Sequence, residues 1–508
     1  MSATRHQLLS EAKALLKAER GTYFKQGALG VALCYPSPYR VGMSSLGFQT
    51  IYRKINELPF AFAERAFLPD DEALMRRLRM PLFSLETQRP VSEFSVLAFS
   101  VAYELELTGV LSMLALSGLA LRSGERPQHA PLVVAGGPLS FSNAASLEPF
   151  VDVVVQGEAE ELIEVLLRTC EAYASKHQVL SALARQPGFF VPGISAAQKR
   201  FDICKAADAQ LPAYSQVITP HTELSSMFLV ETGRGCSRGC HYCVMRRSTN
   251  GGLRLAPKQA ILKSIAPWAK RVGFVGAAVT DHPHLLELLE ENTLAGREVG
   301  VSSLRADRLS LALIQALHKG GAQVLTIALD GASQRLRNLL ERRHTEEHIL
   351  QAALWAKACG MRHLKLYVML GLPTEEEADV EELAGFVVAL SKQLPVVLGI
   401  APFVAKRHTP MDGAPFAGVA VLENRLRFLR SLLHGKAQLR CTSPRWAFVE
   451  YMLAQCGPEA GLAGMEAWQR GGKYAHWTTA FDKHALKPFL ACRTAEPSAA
   501  PWPQVESP

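Results

Sequence analysis

The 508-residue sequence has no apolar run long and clean enough to cross a membrane. Its most apolar long stretch, residues 96–121, is interrupted by Glu104 and Glu106 and diluted by Gly109, Ser112 and Ser117. A spanning helix needs about 20 consecutive apolar residues, so a buried strand followed by a buried helix is the better reading. Residues 1–21 lack the apolar block and small-residue cleavage site of a secretory signal, and they predict a polar amphipathic helix. Cysteines are few: ten in all, seven of them scattered. Reduced thiols and a cytoplasmic location are therefore expected, and a disulfide framework is not. No charge of one sign dominates, since 55 basic and 47 acidic residues leave a diffuse +8. That balance permits an anionic substrate or RNA without requiring either, and no stripe interleaves basic residues with aromatics. No internal repeat is present.

What is there is a two-part α/β pattern. The length exceeds one ordinary core, and 48% hydrophobic with 20% charged residues is a globular balance. Residues 1–28 read as an N-terminal helix. Residues 29–185 alternate strand, turn and helix: apolar runs at 29–35, 96–101, 131–135 and 151–155, with glycine turns at Gly136-Gly137-Pro138 and Gly157-Glu158. That repetition predicts a doubly wound parallel sheet, whose ligands bind beyond the carboxyl ends of the strands. Residues 186–223, rich in Pro, Ala and polar side chains, read as a linker with a short strand at 189–191. Between 224 and 403 the alternation restarts. Candidate strands at 227–231, 272–275, 299–303, 324–329, 364–370 and 396–400, each followed by a helical stretch, predict a partial (β/α)6 barrel with its site at the carboxyl strand ends. Residues 404–495 read as a small helical C-terminal region, and 496–508 as a disordered Pro- and Ser-rich tail.

Three cysteines cluster. Cys236, Cys240 and Cys243 follow the first strand of the second part with the spacing C-x3-C-x2-C, in a loop that contains Gly233, Gly235 and Gly239. Thiolates suit iron–sulfur clusters, and a [4Fe–4S] cube takes four of them. Only three lie together here, so one iron would be left open to a ligand from outside the protein. The competing metal is zinc, held by these thiolates and His241. Structural zinc sites pair two short hooks far apart in sequence, and no second hook exists.

This loop, placed directly after the first strand of a βα barrel, resembles that of the radical S-adenosylmethionine (SAM) superfamily. The resemblance implies that Cys236, Cys240 and Cys243 hold three irons of a [4Fe–4S] cluster. The fourth iron would chelate SAM, and one electron would cleave the sulfonium to methionine and a 5′-deoxyadenosyl radical. It further implies that Tyr242, the aromatic residue before the third cysteine, borders the adenine. Gly276 would lie in the turn that meets the cofactor's amino group, although the usual glutamate is absent. Ser302 and Arg305 would meet the cofactor, Arg305 through its carboxylate. Asp330, in Asp330-Gly-Ala-Ser, would stand where related sequences carry a glutamate. Gly371-Leu-Pro-Thr-Glu375 matches a frequent family turn, expected to be capped by Thr374 ahead of a helix. A reducing partner such as flavodoxin or ferredoxin is implied too.

The first part resembles the cobalamin-binding-type domain that precedes many such barrels, through its glycine turns at 136–138 and 157–158. Cobalamin domains often carry Asp-x-His-x-x-Gly after the first strand. Here residues 36–43, Pro-Ser-Pro-Tyr-Arg-Val-Gly-Met, offer neither aspartate nor histidine, so cobalamin stands as an open reading. Residues 39–44, 81–86, 365–375 and 402–410 also match a narrower group of radical SAM proteins without an assigned reaction. Two enzyme readings remain open: cobalamin-assisted methyl transfer or rearrangement, and cobalamin-independent modification of RNA or protein. A non-enzymatic metal-binding nucleic-acid protein is a third. The N-terminal domain holds only Cys34 and Cys170, so no second cysteine triad points to sulfur insertion. His282 is a further candidate at a strand end. Basic runs at Arg246-Arg247 and Arg342-Arg343-His344 could meet an anionic substrate, although such residues are more often solvated.

Overall fold

A computed structural model describes residues 4–195, 203–245 and 252–487. The expected disordered tail, Arg246 and Arg247 lie outside the described residues. Two compact units divide the chain: residues 1–227 with 456–486, and residues 228–455 with 487–508. Among the described residues, no helix is long and apolar enough to cross a membrane.

The first unit is built on one six-stranded sheet. Its strands are β1 (Leu29–Tyr35), β2 (Ala61–Phe67), β3 (Val96–Ser100), β4 (Leu132–Gly136), β5 (Val153–Val155) and β6 (Phe189–Phe190). The spatial order is β2-β1-β3-β4-β5-β6. All neighbours are parallel except β6, which runs antiparallel to β5. The expected doubly wound sheet is thus present, with its topological switch point between β1 and β3. Val31, Cys34, Val133 and Val153 are fully buried, as strands covered on both faces require.

One strand did not show in the sequence. β2 carries Glu64 and Arg65 in its middle, which disguises a buried strand as a polar segment. Both charges are compensated. Arg65 is fully buried and pairs with Glu19 at 2.6 Å and Glu86 at 2.7 Å. The Tyr39 hydroxyl donates to Glu19 at 2.6 Å, and the Arg65 guanidinium also lies over the Tyr52 ring, 4.8 Å from its centre. Glu64 accepts from the hydroxyls of Ser84 at 2.5 Å and Thr87 at 2.6 Å. Two motifs that the sequence left without a role, residues 39–44 and 81–86, therefore supply partners for β2.

Both ends of the chain's interdomain stretches join this unit. Gly157 and Cys204 form a parallel bridge, and Arg20 bridges Ile218, so residues expected as linker are packed here. Helices Pro458–Gln469 and Tyr474–Lys483 belong to it as well. Trp468 donates its indole N–H to Ser112 at 2.9 Å. A Cβ on Gly461 would come within 2.0 Å of the Ser146 carbonyl oxygen, so the helix can approach this closely only with glycine there.

The second unit holds β7 (Phe228–Glu231), β8 (Gly233–Gly235), β9 (Leu253–Leu255), β10 (Arg271–Val275), β11 (Glu298–Val301), β12 (Val324–Asp330), β13 (His363–Leu370), β14 (Val396–Pro402) and β15 (Ala437–Cys441). Parallel sheets β7-β10-β11 and β12-β13-β14-β15 meet at a parallel bridge between Leu304 and Ile327. β7, β10, β11, β12, β13 and β14 make the expected six-stranded partial barrel, with a helix after each strand from β10 to β14. β8 and β9 form a small antiparallel hairpin. β15 adds a seventh parallel strand inside the region expected to be helical. Its alternation of Gln438 and Arg440 with small and apolar residues is that of an edge strand, which hides it from an apolar-run search.

Removing one partner of a buried charge cluster leaves the others uncompensated, at a cost of about 3–5 kcal/mol. Arg65→Ala is therefore expected to lower the stability of the first unit by that amount, read as a shift in its urea-unfolding midpoint. A shift no larger than that of an exposed Arg→Ala control would contradict the packing described.

Candidate functional site

The loop that carries the three thiols leaves β8 at Gly235, whose φ of +79° a side chain would strain. Little backbone bonding holds it: the Cys243 N–H donates to the Cys240 carbonyl at 3.2 Å, and His241 exchanges backbone bonds with Leu340 and Met411. Cys236, Cys240 and Cys243 are all free thiols, Cys240 buried and the other two half-buried. Beyond burial, the nearby Cys236 raises the thiol pKa of Cys240, and Cys240 and Cys236 together raise that of Cys243. Burial is the larger effect, and it pushes Cys243 up to about 11. Burial also pushes Cys240 up, against the opposing pull of Arg342.

Two charged braces hold this loop from the strand ends. The first joins the Cys236 side to the segments after β10 and β11. Arg305 pairs with Asp281 at 2.5 Å and with Asp307 at 2.8 Å. Ser237 donates to Asp281 at 2.5 Å, and Arg238 pairs with Asp307. Burial works against the charge on Arg305, but Asp307 and Asp281 outweigh it and hold its pKa up. The second brace joins the Cys240 side to the end of β12. Tyr242 lies within electrostatic reach of Asp330, whose carboxyl is pushed up by burial against the pull of Arg342. Arg342 approaches Asp330 at 2.5 Å as an ion pair, donates to the Ala328 carbonyl at 3.2 Å, and donates to the Cys240 sulfur at 3.8 Å.

The cofactor residues expected from sequence, Tyr242, Gly276, Ser302, Arg305 and Asp330, lie beside this loop in arrangements the sequence could not give. Ser302 donates to the Gly276 carbonyl at 3.2 Å, and a Cβ on Gly276 would sit 3.0 Å from the Gly233 carbonyl oxygen. Tyr242 and Asp330 lie beside each other. The expectation for Arg305 was a cofactor carboxylate; in the structure its guanidinium is engaged by two protein carboxylates. The ring Nε2 of His282 bonds to the Ala256 carbonyl at 3.0 Å in a buried position, which gives it a structural partner. Thr374 is not the cap of the helix that follows. Its φ is +63°, and that helix, Glu377–Ser391, is capped by Glu376 through a capping box with Asp379. Glu375 instead folds back to accept the Gly371 N–H at 2.9 Å.

Sequence reasoning missed Asp281, Asp307, Arg238 and Arg342. Arg342 read as one of a solvated basic run because its partners, Cys240 and Asp330, are far away in sequence. One structural signal marks the site. Asp330, Glu341, Arg343, Thr374 and His408 all have positive φ without being glycine; Asp330 closes β12, and the others follow β12, β13 or β14. Each such residue costs roughly 1–2 kcal/mol, and strain of this kind gathers where function requires it.

The donor set fits an iron–sulfur cube with one open corner: three thiols on one short loop, none paired in a disulfide. Among the described residues, no three His, Cys, Asp or Glu side chains converge as they would on a single ion. A cube does not need that convergence, because each thiolate takes a different iron. The loop after β1 in the first unit fits a cobalt ligand less well. Tyr39–Gly42 forms one helical turn, Tyr39 is buried with its hydroxyl on Glu19, and Met43 is buried against Arg65.

Comparison with known proteins places this geometry. Residues 230–387 match the model of the radical SAM superfamily, and residues 47–192 match that of the radical SAM protein N-terminal region. The chain belongs to the radical SAM superfamily, and it is an enzyme of that class. Membership brings a [4Fe–4S] cluster and SAM as cofactors. An uncharacterized protein of Methanocaldococcus jannaschii is 25% identical over 395 residues, 76% of this chain and 80% of that protein. Ribosomal protein uS12 methylthiotransferase RimO of Desulfosudis oleivorans is 26% identical over 240 residues, 44% of this chain and 50% of the relative. Among solved structures, the cobalamin-dependent SAM radical enzyme OxsB with aqua-cobalamin overlaps 80% of this chain at 13% identity and a TM-score of 0.49. The chain spans 56% of that OxsB chain.

Two predictions come from the site. Asp281→Asn is expected to weaken the first brace and lower iron uptake on anaerobic reconstitution while far-UV circular dichroism stays unchanged; wild-type iron content in that variant would show the brace to be dispensable. In the metal-free protein the Cys243 thiol, raised to about 11, is protonated at neutral pH. Its thiolate, the reactive form, grows as pH rises toward that value, so iodoacetamide labelling of Cys243 should increase about tenfold per pH unit between pH 8 and 10. A rate already level at pH 8 would contradict the raised pKa.

Proposed function

We propose that Cys236, Cys240 and Cys243 hold three irons of the [4Fe–4S] cluster and that the chain is a SAM-cleaving radical enzyme acting on a substrate yet to be identified. The observation that carries this reading is three mutually interacting free thiols on one loop, braced by charges from the segments after β10 and β11 and from the end of β12, at the carboxyl ends of a partial barrel. When bound, SAM at the open iron supplies a 5′-deoxyadenosyl radical after one-electron cleavage of its sulfonium. The chain's own residues position and shield. Tyr242, beside Asp330, would border the adenine. The turn at Gly276 and the hydroxyl of Ser302 would line the cofactor's amino-acid end. Arg305 serves that end through the loop, since its donors are directed to Asp281 and Asp307. A flavodoxin or ferredoxin would supply the electron.

The first unit leaves two routes for the substrate chemistry. Its doubly wound sheet supports a cofactor role of the cobalamin type, in methyl transfer or rearrangement. Its loop after β1 presents no imidazole, so no step is assigned to cobalt. The relationship to RimO, whose name describes modification of a ribosomal protein, supports the second reading: modification of protein or RNA without cobalamin.

Anaerobic reconstitution with iron and sulfide, with and without added cobalamin, separates the readings. Four irons per chain and 5′-deoxyadenosine on reduction with SAM are expected. Cys236→Ala, Cys240→Ala and Cys243→Ala should each lose the cluster's visible absorbance and the cleavage activity. Full iron content in any of these variants would overturn the ligand assignment. Corrinoid that stays with the protein through gel filtration selects the cobalamin-assisted route, and its loss selects the other.

A further inference from the structure

We infer that Arg342 sets the reduction potential of the cluster by donating to the sulfur of Cys240, in opposition to Asp330. The inference rests on the reading that Cys240 is a cluster ligand. Arg342 uses each of its three nitrogens for a different purpose. Nε meets the Asp330 carboxylate at 2.5 Å, one Nη anchors on the Ala328 carbonyl at 3.2 Å, and the other points at the Cys240 sulfur at 3.8 Å. Among the described residues it is the only side chain that donates to a sulfur of the loop. The backbone is shaped for this: Glu341 and Arg343, on either side of Arg342, take φ of +54° and +56°. Two consecutive-but-one left-handed residues fix the turn, and the anchor at Ala328 fixes the guanidinium plane.

Arg305, by contrast, spends its donors on Asp281, Asp307 and Ser237. It braces the loop and gives no bond to a sulfur. Arg342 does both. A cation that hydrogen-bonds to a ligating thiolate stabilises the more negative, reduced cluster and raises its potential; a carboxylate at the same place lowers it. Both groups are half-buried or less exposed, where solvent screens them weakly. Arg342 and Asp330 are thus a matched pair of opposite sign beside one corner of the cube.

The test is a potentiometric titration of the reconstituted protein without SAM, followed by electron paramagnetic resonance, with iron assayed in every sample. Arg342→Gln is expected to keep four irons and to lower the ratio of reduced to oxidised cluster about tenfold at fixed poise, which is about 59 mV for a one-electron couple. Asp330→Asn should move the potential the opposite way, and Arg342→Lys, which keeps the charge, should lie between wild type and Arg342→Gln. Unchanged potential in Arg342→Gln with full iron content overturns the inference. So does loss of iron in both Arg342→Gln and Arg342→Lys, which would make Arg342 a brace alone. Wild-type protein that takes up no iron, or Cys240→Ala that keeps all of it, sinks the ligand reading itself and is seen in the iron assay before any potential is measured.

Discussion

A loop of eight residues that carries three thiols has to keep them at the corners of a cube, and its own backbone supplies almost none of the restraint. In this chain the restraint is electrostatic. Carboxylates reach the loop directly or through arginine: Asp281 and Asp307, in short helical turns after β10 and β11, on one side, and Asp330, the last residue of β12, on the other. Asp330 is firmly placed, because β12 is held by its parallel neighbour β13 and cannot follow the loop. Charge pairs removed from water also interact more strongly than they would on the surface. The residues between the cysteines are therefore not spacers. Ser237, Arg238 and Tyr242 are the handles by which the barrel grips the loop.

The grip has a backbone cost that the sequence pattern leaves on view only in hindsight. Asp330 lies at a register irregularity in β12, with φ of +66°. That irregularity turns its carboxylate toward Tyr242 and Arg342 instead of along the barrel wall. The left-handed residues on either side of Arg342 do the same for the guanidinium. Glu341 and Arg343 would not hold this conformation by local preference; the ion pair between Asp330 and Arg342 draws the two segments together where these residues are needed. Strain and charge pairing are thus two sides of one constraint, and removing either relaxes the other.

The sequence carried the architecture well and the site's wiring poorly, for one reason. Strands such as β3, β4, β12 and β13 announce themselves through contiguous apolar residues, and the cysteine loop through spacing, because both signals are local. β2 failed to appear because Glu64 and Arg65 look polar until Glu19, Ser84 and Glu86 are brought to them. β15 failed because an edge strand keeps polar residues. Arg342 looked like part of a surface basic run because its partner Cys240 lies far back in the chain, and Arg305 looked free for a ligand because Asp281 is remote as well. In each case the missing fact was a partner distant in sequence. The assignment of Thr374 as a helix cap erred differently: the turn preceding the helix is two residues longer than its residue types suggest, and Glu376 takes the cap.

The same logic bears on the first unit. Its glycine turns and its loop after β1 are the features that a cofactor domain of this fold would use. Here each has a structural employer. A Cβ on Gly137 would come 2.8 Å from the Val101 carbonyl oxygen, and one on Gly157 would come 2.1 Å from that of Cys204. Both glycines also have positive φ, so backbone packing alone demands them. Tyr39 and Met43 of the loop after β1 are committed to the Arg65 cluster. Any ligand at the switch point would have to be held by other groups, such as the backbone of the turns or the segment after β3, where Glu106 already accepts from Ser37 and the Ala102 N–H. A doubly wound sheet can keep the turns of a cofactor domain for packing reasons alone, which is why the glycine pattern locates the fold more firmly than it locates a ligand.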